Sequence, residues 1–314
     1  MQRVWSGTLA RSLAAGARRG YAFKVDIKAL KQLREQTGAG LSKAKEALQQ
    51  TNNDLPAAAQ WIERDAVASG AKRAAKVANR VAGDGAVSVH VSADGSRATM
   101  AELLCETDFV ARNAAFVDLA WTIARLAGGS VEQTREQRVD GGGQRTVGDA
   151  VTEAIGRLGE NMVLRRVAQV GGTGCVAGGY VHMPVGGSLD GAAAGRIGAL
   201  VALRCAAPAA TAEHGDALAL LARRLAQQVA GYAPRYATLA DRGPAECPDE
   251  LVLETQQFLF GGGSVAEVLA DAGRAAGAPV EVAAFVRFER AEGVEKPVAP
   301  DFAQEVRLAA GLDK

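Results

Sequence analysis

"VSVHVSADGSRATMAELLC", residues 87–105, decides the fold of this chain. Val87, Val89 and Val91 alternate with Ser88, His90 and Ser92, which is the period of a strand with one apolar face. Asp94-Gly95 supplies a turn and Arg97–Cys105 returns as a second strand, so the stretch reads as a β-hairpin. After Cys105 the period becomes helical. Phe116, Ala120, Ile123 and Ala127 share one stripe, with Val110, Val117, Trp121 and Ala124 beside it. Farther on, Thr146 and Asp149 form a capping pair at the head of "TVGDAVTEAIGRLG", and "NMVLRRVAQV" (161–170) is a third strand.

The same order then returns. "YVHM" (180–183) echoes "SVHV" (88–91), and "RIGALVALRC" ending at Cys205 echoes "RATMAELLC" ending at Cys105. "ALALLARRLAQQVA" takes the place of "AFVDLAWTIARLA". "SVAEVLADAGRAAG", with Ser264 and Glu267 as its capping pair, answers "TVGDAVTEAIGRLG", and "VEVAAFVRFE" (280–289) answers the third strand. The expected class is α+β: two similar core subdomains, 83–170 and 171–314, each a three-stranded antiparallel sheet packed with helices. The second is enlarged by a Gly- and Ala-rich segment from Val185 to Gly195. A second insertion, from Tyr232 to Gly263 with Pro234, Pro244 and Pro248, is expected at the surface.

Residues 22–69 read as a three-helix module. Asp26 caps the first helix, and Gly38-Ala39-Gly40 breaks it with residues that tolerate left-handed backbone. Ser42 is the expected cap of the second helix, and Asp54 with Pro56 opens the third. Residues 70–82, with Lys72, Arg73, Lys76 and Arg80, read as a basic connector, a solvated stripe without the aromatics of a nucleic-acid surface. Residues 1–21 carry Arg3, Arg11, Arg18 and Arg19 and no acid before Asp26, the make-up of a mitochondrial transit peptide with the mature start near Ala22. A matrix destination is the expectation.

Over 314 residues the net charge is +1, which gives no global argument for nucleic acid or membrane surface. No run approaches the roughly 18 apolar residues of a membrane span. Cys105, Cys175, Cys205 and Cys247 lie far apart without a CxxC pair, so they read as free core thiols and no metal or cofactor is expected. Gly172, Gly174 and Ala177 formally match GxGxxA, but the next segment is a strand, where a dinucleotide fingerprint requires a helix. "GGQRTVGD" and "GGGSVAE" lack the lysine of a P-loop. His90 and His182 occupy equivalent places in the two copies, hence separate subdomains, and no triad assembles. The expectation is a protein without an active site of its own.

That leaves the junction "CETDFVARN" (105–113), whose counterpart in the second copy reads "CAAPAATA". Strand and helix recur there without the acid and the aromatic, which weakens a pure packing role for Asp108 and Phe109. Thr107 and Asp108 would also serve as helix cap and dipole partner, each worth on the order of 1 kcal/mol. Phe109 could share the stripe of Phe116. Residue chemistry leaves cap, core and recognition open.

"LREQTGAGLSKAKEAL", "CETDFVARN", "GRIGALVAL", "FVRFERAEGVEK" and "DFAQEV" follow one another in an order that resembles the translation elongation factor Ts family, and the Arg-rich leader resembles its mitochondrial form. The resemblance implies an N-terminal ubiquitin-associated-like (UBA-like) module and a guanine-nucleotide exchange factor, with no covalent chemistry, no cofactor and no small-molecule substrate of its own. The implied partner is mitochondrial elongation factor Tu, whose G domain would receive Thr107, Asp108, Phe109 and Val110 and lose its hold on Mg²⁺ and nucleotide. A second contact would use Gly38, Gly40, Leu41 and Lys45, and a third, on another domain of the partner, Gly195, Arg196 and Gly198. The chain has Ala44-Lys45-Glu46 where many relatives carry Cys-Lys-Lys, and it lacks the coiled-coil insertion of some bacterial members. The alternative is a binding or scaffold module for a ubiquitin-like or RNA partner; an oxidoreductase using the glycine loops is a weaker third.

Overall fold

The computed structural model describes residues 24–139, 141, 143–189, 191–205, 212–243 and 248–295. The leader 1–21, the stretch "DFAQEV", Cys247 and most of "CAAPAATA" lie outside them.

Three helices come first, α1 (Ile27–Thr37), α2 (Leu41–Gln50) and α3 (Leu55–Val77). Asp26 caps α1 by accepting from the Lys28 N–H, and Gly38 ends it at φ 68°, a left-handed conformation that glycine adopts without strain. Asp54 caps α3 as expected. Ser42 does not cap α2: the helix starts one residue earlier, at Leu41, with Gly40 at the N-cap and no side-chain cap bond. Leu33, Ala44, Leu48, Ala58 and Ile62 form a small core of their own. Buried Lys43 lies 4.2 Å from the Trp61 ring centroid and pairs with Asp65 and Glu46, so the ammonium is matched by carboxylates where water is excluded.

The basic connector is not a linker. Helix α3 continues through Lys72, Arg73 and Lys76 and crosses α7 (Val147–Leu158) where Gly70 faces Gly156. A Cβ on Gly156 would sit 2.9 Å from the Ala66 carbonyl oxygen and 3.1 Å from Gly70 Cα, so paired glycines set the close approach of the two backbones. Arg73 Nη1 donates to the Gly156 carbonyl at 2.7 Å. Lys72, Lys76 and Arg80 are exposed, as a solvated stripe requires, and only Arg73 is turned to packing.

Next follow β1 (Asp84–Val91), β2 (Arg97–Cys105), α4 (Asp108–Ala111), α5 (Ala114–Leu126), α6 (Val131–Glu136), α7 and β3 (Val163–Gly171). After them come β4 (Cys175–Leu189), β5 (Ala192–Cys205), α8 (Ala212–Tyr232), α9 (Leu239–Arg242), two 3₁₀ turns (Asp249–Leu251 and Leu253–Thr255), α10 (Val265–Ala276) and β6 (Val280–Glu289). Both capping pairs, Thr146 with Asp149 and Ser264 with Glu267, are reciprocal capping boxes. All strand pairs are antiparallel, and the protein is α+β.

The strands do not form two separate sheets. They make one six-stranded sheet in the order β3-β2-β1-β5-β4, with β6 also paired to β5. The join is β1 on the first part of β5, Val87 opposite Gly195 and His90 opposite Ala192. The Gly- and Ala-rich segment from Val185 to Gly195 therefore extends the β4–β5 hairpin and links the halves through its small side chains. The two central strands carry register shifts at matching places, Glu102/Leu103 in β2 and Ala202/Leu203 in β5. By that register His90, opposite Thr99, corresponds to Tyr180, opposite Ala199; His182 lies two residues beyond.

Helices α5 and α7 cover one face of the first three strands over Leu103, Phe116, Ile123 and Val151. Helices α8 and α10 cover Val201, Leu203, Leu225 and Val265 in the second half. The remaining faces share a core of Val87, Val89, Met100, Leu200, Ala202 and Phe288. Alternation in β1 thus marks two buried faces, since Ser88 is buried as well. Burying both faces removes a large apolar area from water, at roughly 25 cal/mol per Å². The segment from Tyr232 to Gly263 is not only surface: Val252, Leu253 and Phe258 are buried, and the Gln228 amide on α8 is hydrogen-bonded to Gln256 and Gln257. The GxGxxA stretch is the turn between β3 and β4, pinned by Gly172 N–H to the Ser96 carbonyl at 2.9 Å.

Candidate functional site

At the end of β2 the chain enters α4, a single turn, rather than one long helix. Thr107 is its N-cap. Arg112 ends it, and Asn113 starts α5 by accepting from the Ala115 N–H at 3.0 Å. The break rotates Phe109 off the stripe of Phe116, so Phe116 is fully buried while Phe109 is 84% exposed. Val110 and Ala111 pack on the α5–α7 core beneath it. An exposed phenyl ring on a turn anchored from below has no packing role in this chain. The core reading of Phe109 is excluded, and Thr107 carries the cap. Asp108 is half exposed, with its carboxylate 3.3 Å from Arg112.

The turn is held by residues that the sequence did not single out. Glu160, just after α7, accepts from the Thr107 N–H at 3.0 Å and from its hydroxyl at 2.6 Å. Glu106 accepts in return from the Asn161 N–H at 2.6 Å, and Arg80 approaches Glu106 at 3.5 Å. Asn161 also donates to the Arg80 carbonyl at 2.7 Å. Such charge-assisted bonds are the stronger kind, and here they tie α4 to the end of α7 and to the end of α3. Beneath the turn, burial first, then the nearby Glu160 and Asp84 carboxylates, push the Cys105 thiol well above the ordinary thiol range. It is a core thiol and not a nucleophile.

Gly38, Gly40 and Leu41 come to the same side of the molecule. The Gly38 carbonyl accepts from Asn113 Nδ2 at 3.2 Å, and a Cβ on Gly40 would lie 3.4 Å from the Leu158 carbonyl oxygen. Leu41 is 56% exposed and borders a shallow apolar groove with Ile27 and Leu30; Lys45 is exposed on α2. Gly195, Arg196 and Gly198 lie apart from this cluster, on β5. The two glycines are buried, because a Cβ on Gly198 would reach Val87 and Met100, and one on Gly195 would reach Val181. Only Arg196 is exposed, 3.4 Å from Glu289. No group of three or more His, Cys, Asp or Glu residues among the described residues has the spacing of a metal site. Cys105, Cys175 and Cys205 are free.

Phe109 and Leu41 are thus large apolar side chains exposed on turns that hydrogen bonds and packing hold in place, the kind of feature found on protein docking surfaces. The family model described as Elongation factor TS matches residues 106–243. Elongation factor Ts of Rhodospirillum rubrum is 37% identical, over 91% of this chain and 97% of its own. That of Clostridium perfringens (strain ATCC 13124) is 32% identical over 91% and 99%, and that of Methylobacterium sp. (strain 4-46) 37% over 89% and 96%. The chain belongs to the elongation factor Ts family, and its role lies in translation elongation.

Proposed function

We propose that the chain is a guanine-nucleotide exchange factor that binds elongation factor Tu, displaces Mg²⁺ and GDP from it, and so allows the GTP form to be regenerated. The observation that carries this is Phe109, almost fully exposed on a turn fixed through Thr107 and Glu160. A ring so presented can enter a partner without a change in its own protein's fold. The chain does no covalent chemistry in this reading; its action is a coupling between two ligands of one GTPase, in which factor and nucleotide weaken each other by the same ratio.

Magnitudes require more than one contact. Weakening nucleotide a thousandfold takes about 4 kcal/mol, whereas burying one phenylalanine contributes about 1.5 to 3 kcal/mol. The exposed Leu41 beside Gly40, on a module read as ubiquitin-associated-like, supplies a second patch on the same side, and Arg196 on β5 offers a third. Two similar subdomains, each one β–β–α…α–β copy, would then separate the contacts along the partner. Mg²⁺ demands near-octahedral geometry, so a small displacement of the loops around it suffices to weaken it.

The Arg-rich, acid-free residues 1–21 support a mitochondrial matrix location and the mitochondrial form of the partner. Import of a fluorescent protein fused behind residues 1–21 tests that address. The exchange function is tested with elongation factor Tu loaded with fluorescent GDP: the chain lacking residues 1–21 should accelerate loss of signal. Unchanged release at saturating concentration would overturn the proposal.

A further inference from the structure

We propose that Asn113 is a positioning residue that latches the Gly38–Leu41 turn to the Asp108–Phe109 turn, so that both docking patches meet the partner as one preset pair. The inference rests on the exchange-factor reading and adds to it the residue that fixes the spacing.

Asn113 serves three elements at once. Its backbone N–H donates to the Val110 carbonyl at 2.9 Å and closes the α4 turn that carries Phe109. Its side-chain Oδ1 accepts from the Ala115 N–H at 3.0 Å and starts α5. Its Nδ2 donates to the Gly38 carbonyl at 3.2 Å, across 75 residues of sequence. Because the Ala115 N–H requires an acceptor and the Gly38 carbonyl requires a donor, the amide fits in one orientation only. Gly38 sits directly against it: a Cβ there would come within 2.7 Å of Asn113 Oδ1, and the residue is at φ 68° besides. Three residues on, Leu41 begins α2.

Capping alone does not call for an amide. Asp, Ser and Asn cap helices about equally well, but of these only Asn also offers an N–H to a carbonyl. The N-terminal helices have another tether at the far end of α3, Arg73 to Gly156. With the base of α3 fixed there and the α1–α2 turn fixed by Asn113, the distance between Leu41 and Phe109 is set before the partner arrives. Presetting two linked contacts raises the effective concentration of the second once the first is made.

Asn113→Asp separates the latch from the cap, since it keeps an oxygen for the Ala115 N–H and turns a second oxygen toward the Gly38 carbonyl. In the GDP-release titration the concentration for half-maximal release should rise about fivefold to tenfold. The maximal rate should hold, because Phe109 is untouched, and the melting temperature should fall only by what the single Asn113–Gly38 bond contributes, less than in a variant that also loses the cap. Amide hydrogen exchange at Ala39, Gly40 and Leu41 should quicken. Asn113→Ala should show the same rise together with a lower melting temperature from the lost cap. An unchanged half-maximal concentration in Asn113→Asp overturns the latch, as does a fall in maximal rate alone, which would place Asn113 with the wedge. If the wild-type chain released no GDP, the exchange reading would fail by itself, and amide exchange at residues 39–41 would still decide whether Asn113 holds the turn.

Discussion

Glu160 reaches 53 residues back along the chain to take both the backbone N–H and the hydroxyl of Thr107, at 3.0 and 2.6 Å. One carboxylate thereby holds the first residue of the turn that presents Phe109. Removing it in Glu160→Ala leaves a half-buried N–H without its acceptor, at a cost of about 1 to 3 kcal/mol. Urea unfolding should show that loss. GDP release should slow as well, because Thr107 no longer fixes where the ring points. A variant that loses stability while keeping the wild-type release rate would show that the clasp serves the fold alone.

Phe109→Ala should do the reverse. An exposed side chain contributes little to stability, so the unfolding midpoint should stay within about 0.5 kcal/mol of the wild type. The burial on the partner that the ring would supply, about 1.5 to 3 kcal/mol, corresponds to roughly a tenfold to hundredfold slower exchange. The two variants together separate holding the wedge from being the wedge.

That Phe109 need not be a core residue was legible in sequence, because the second copy of the junction lacks the acid and the aromatic, and its exposure agrees. The supports of its turn were not. Glu106, Asn113, Glu160 and Asn161 look like ordinary polar residues at helix ends, and the bonds that matter join positions 53 to 81 residues apart. No periodicity reports such pairs. Strands, caps and the recurring order of elements were visible because each is set by near neighbours. The joining of all strands into one sheet was not, because it depends on Ala192, Ala194 and Gly195 being small enough to lie along β1, a property that also describes a loop. That the basic stripe continues α3 was not legible for a related reason: Gly70 lowers helical propensity locally but is required where α3 meets Gly156.

Glu102 offers a test of how the two halves are fastened. It is fully buried on β2, pairs with Arg166 at 2.5 Å and Arg165 at 3.1 Å, and accepts from the Ala291 N–H at 2.6 Å just past β6. The register shift at Glu102/Leu103 lets consecutive arginines share one carboxylate. Breaking a buried ion pair from one side costs about 3 to 5 kcal/mol; the two guanidinium groups are partly exposed, so Glu102→Gln should cost about 3 kcal/mol. Glu281→Gln breaks a pair with Arg204 in which both side chains are exposed, and should change stability by less than about 1 kcal/mol. Equal effects in the two variants would refute the fastening role.

Asp65 sets the acid limit of the N-terminal helices. Burial opposes its charge, but hydrogen bonds from Lys43 and Ser69 and the charges of Lys43 and Arg73 outweigh that and hold its carboxyl below the ordinary 3.8. A carboxyl lowered on folding stabilises the folded state fully above its unfolded value, and that contribution disappears as the pH falls through the folded value. The wild type should therefore be more stable than Asp65→Asn by a constant margin from neutral pH down to about pH 5, and the margin should shrink as the pH drops below 3.8. Trp61, lying under the Lys43 ammonium, is placed to report it by fluorescence. A margin that persists unchanged into strong acid would mean that Asp65 acts through hydrogen bonds alone and that its charge contributes nothing to the clasp around Lys43.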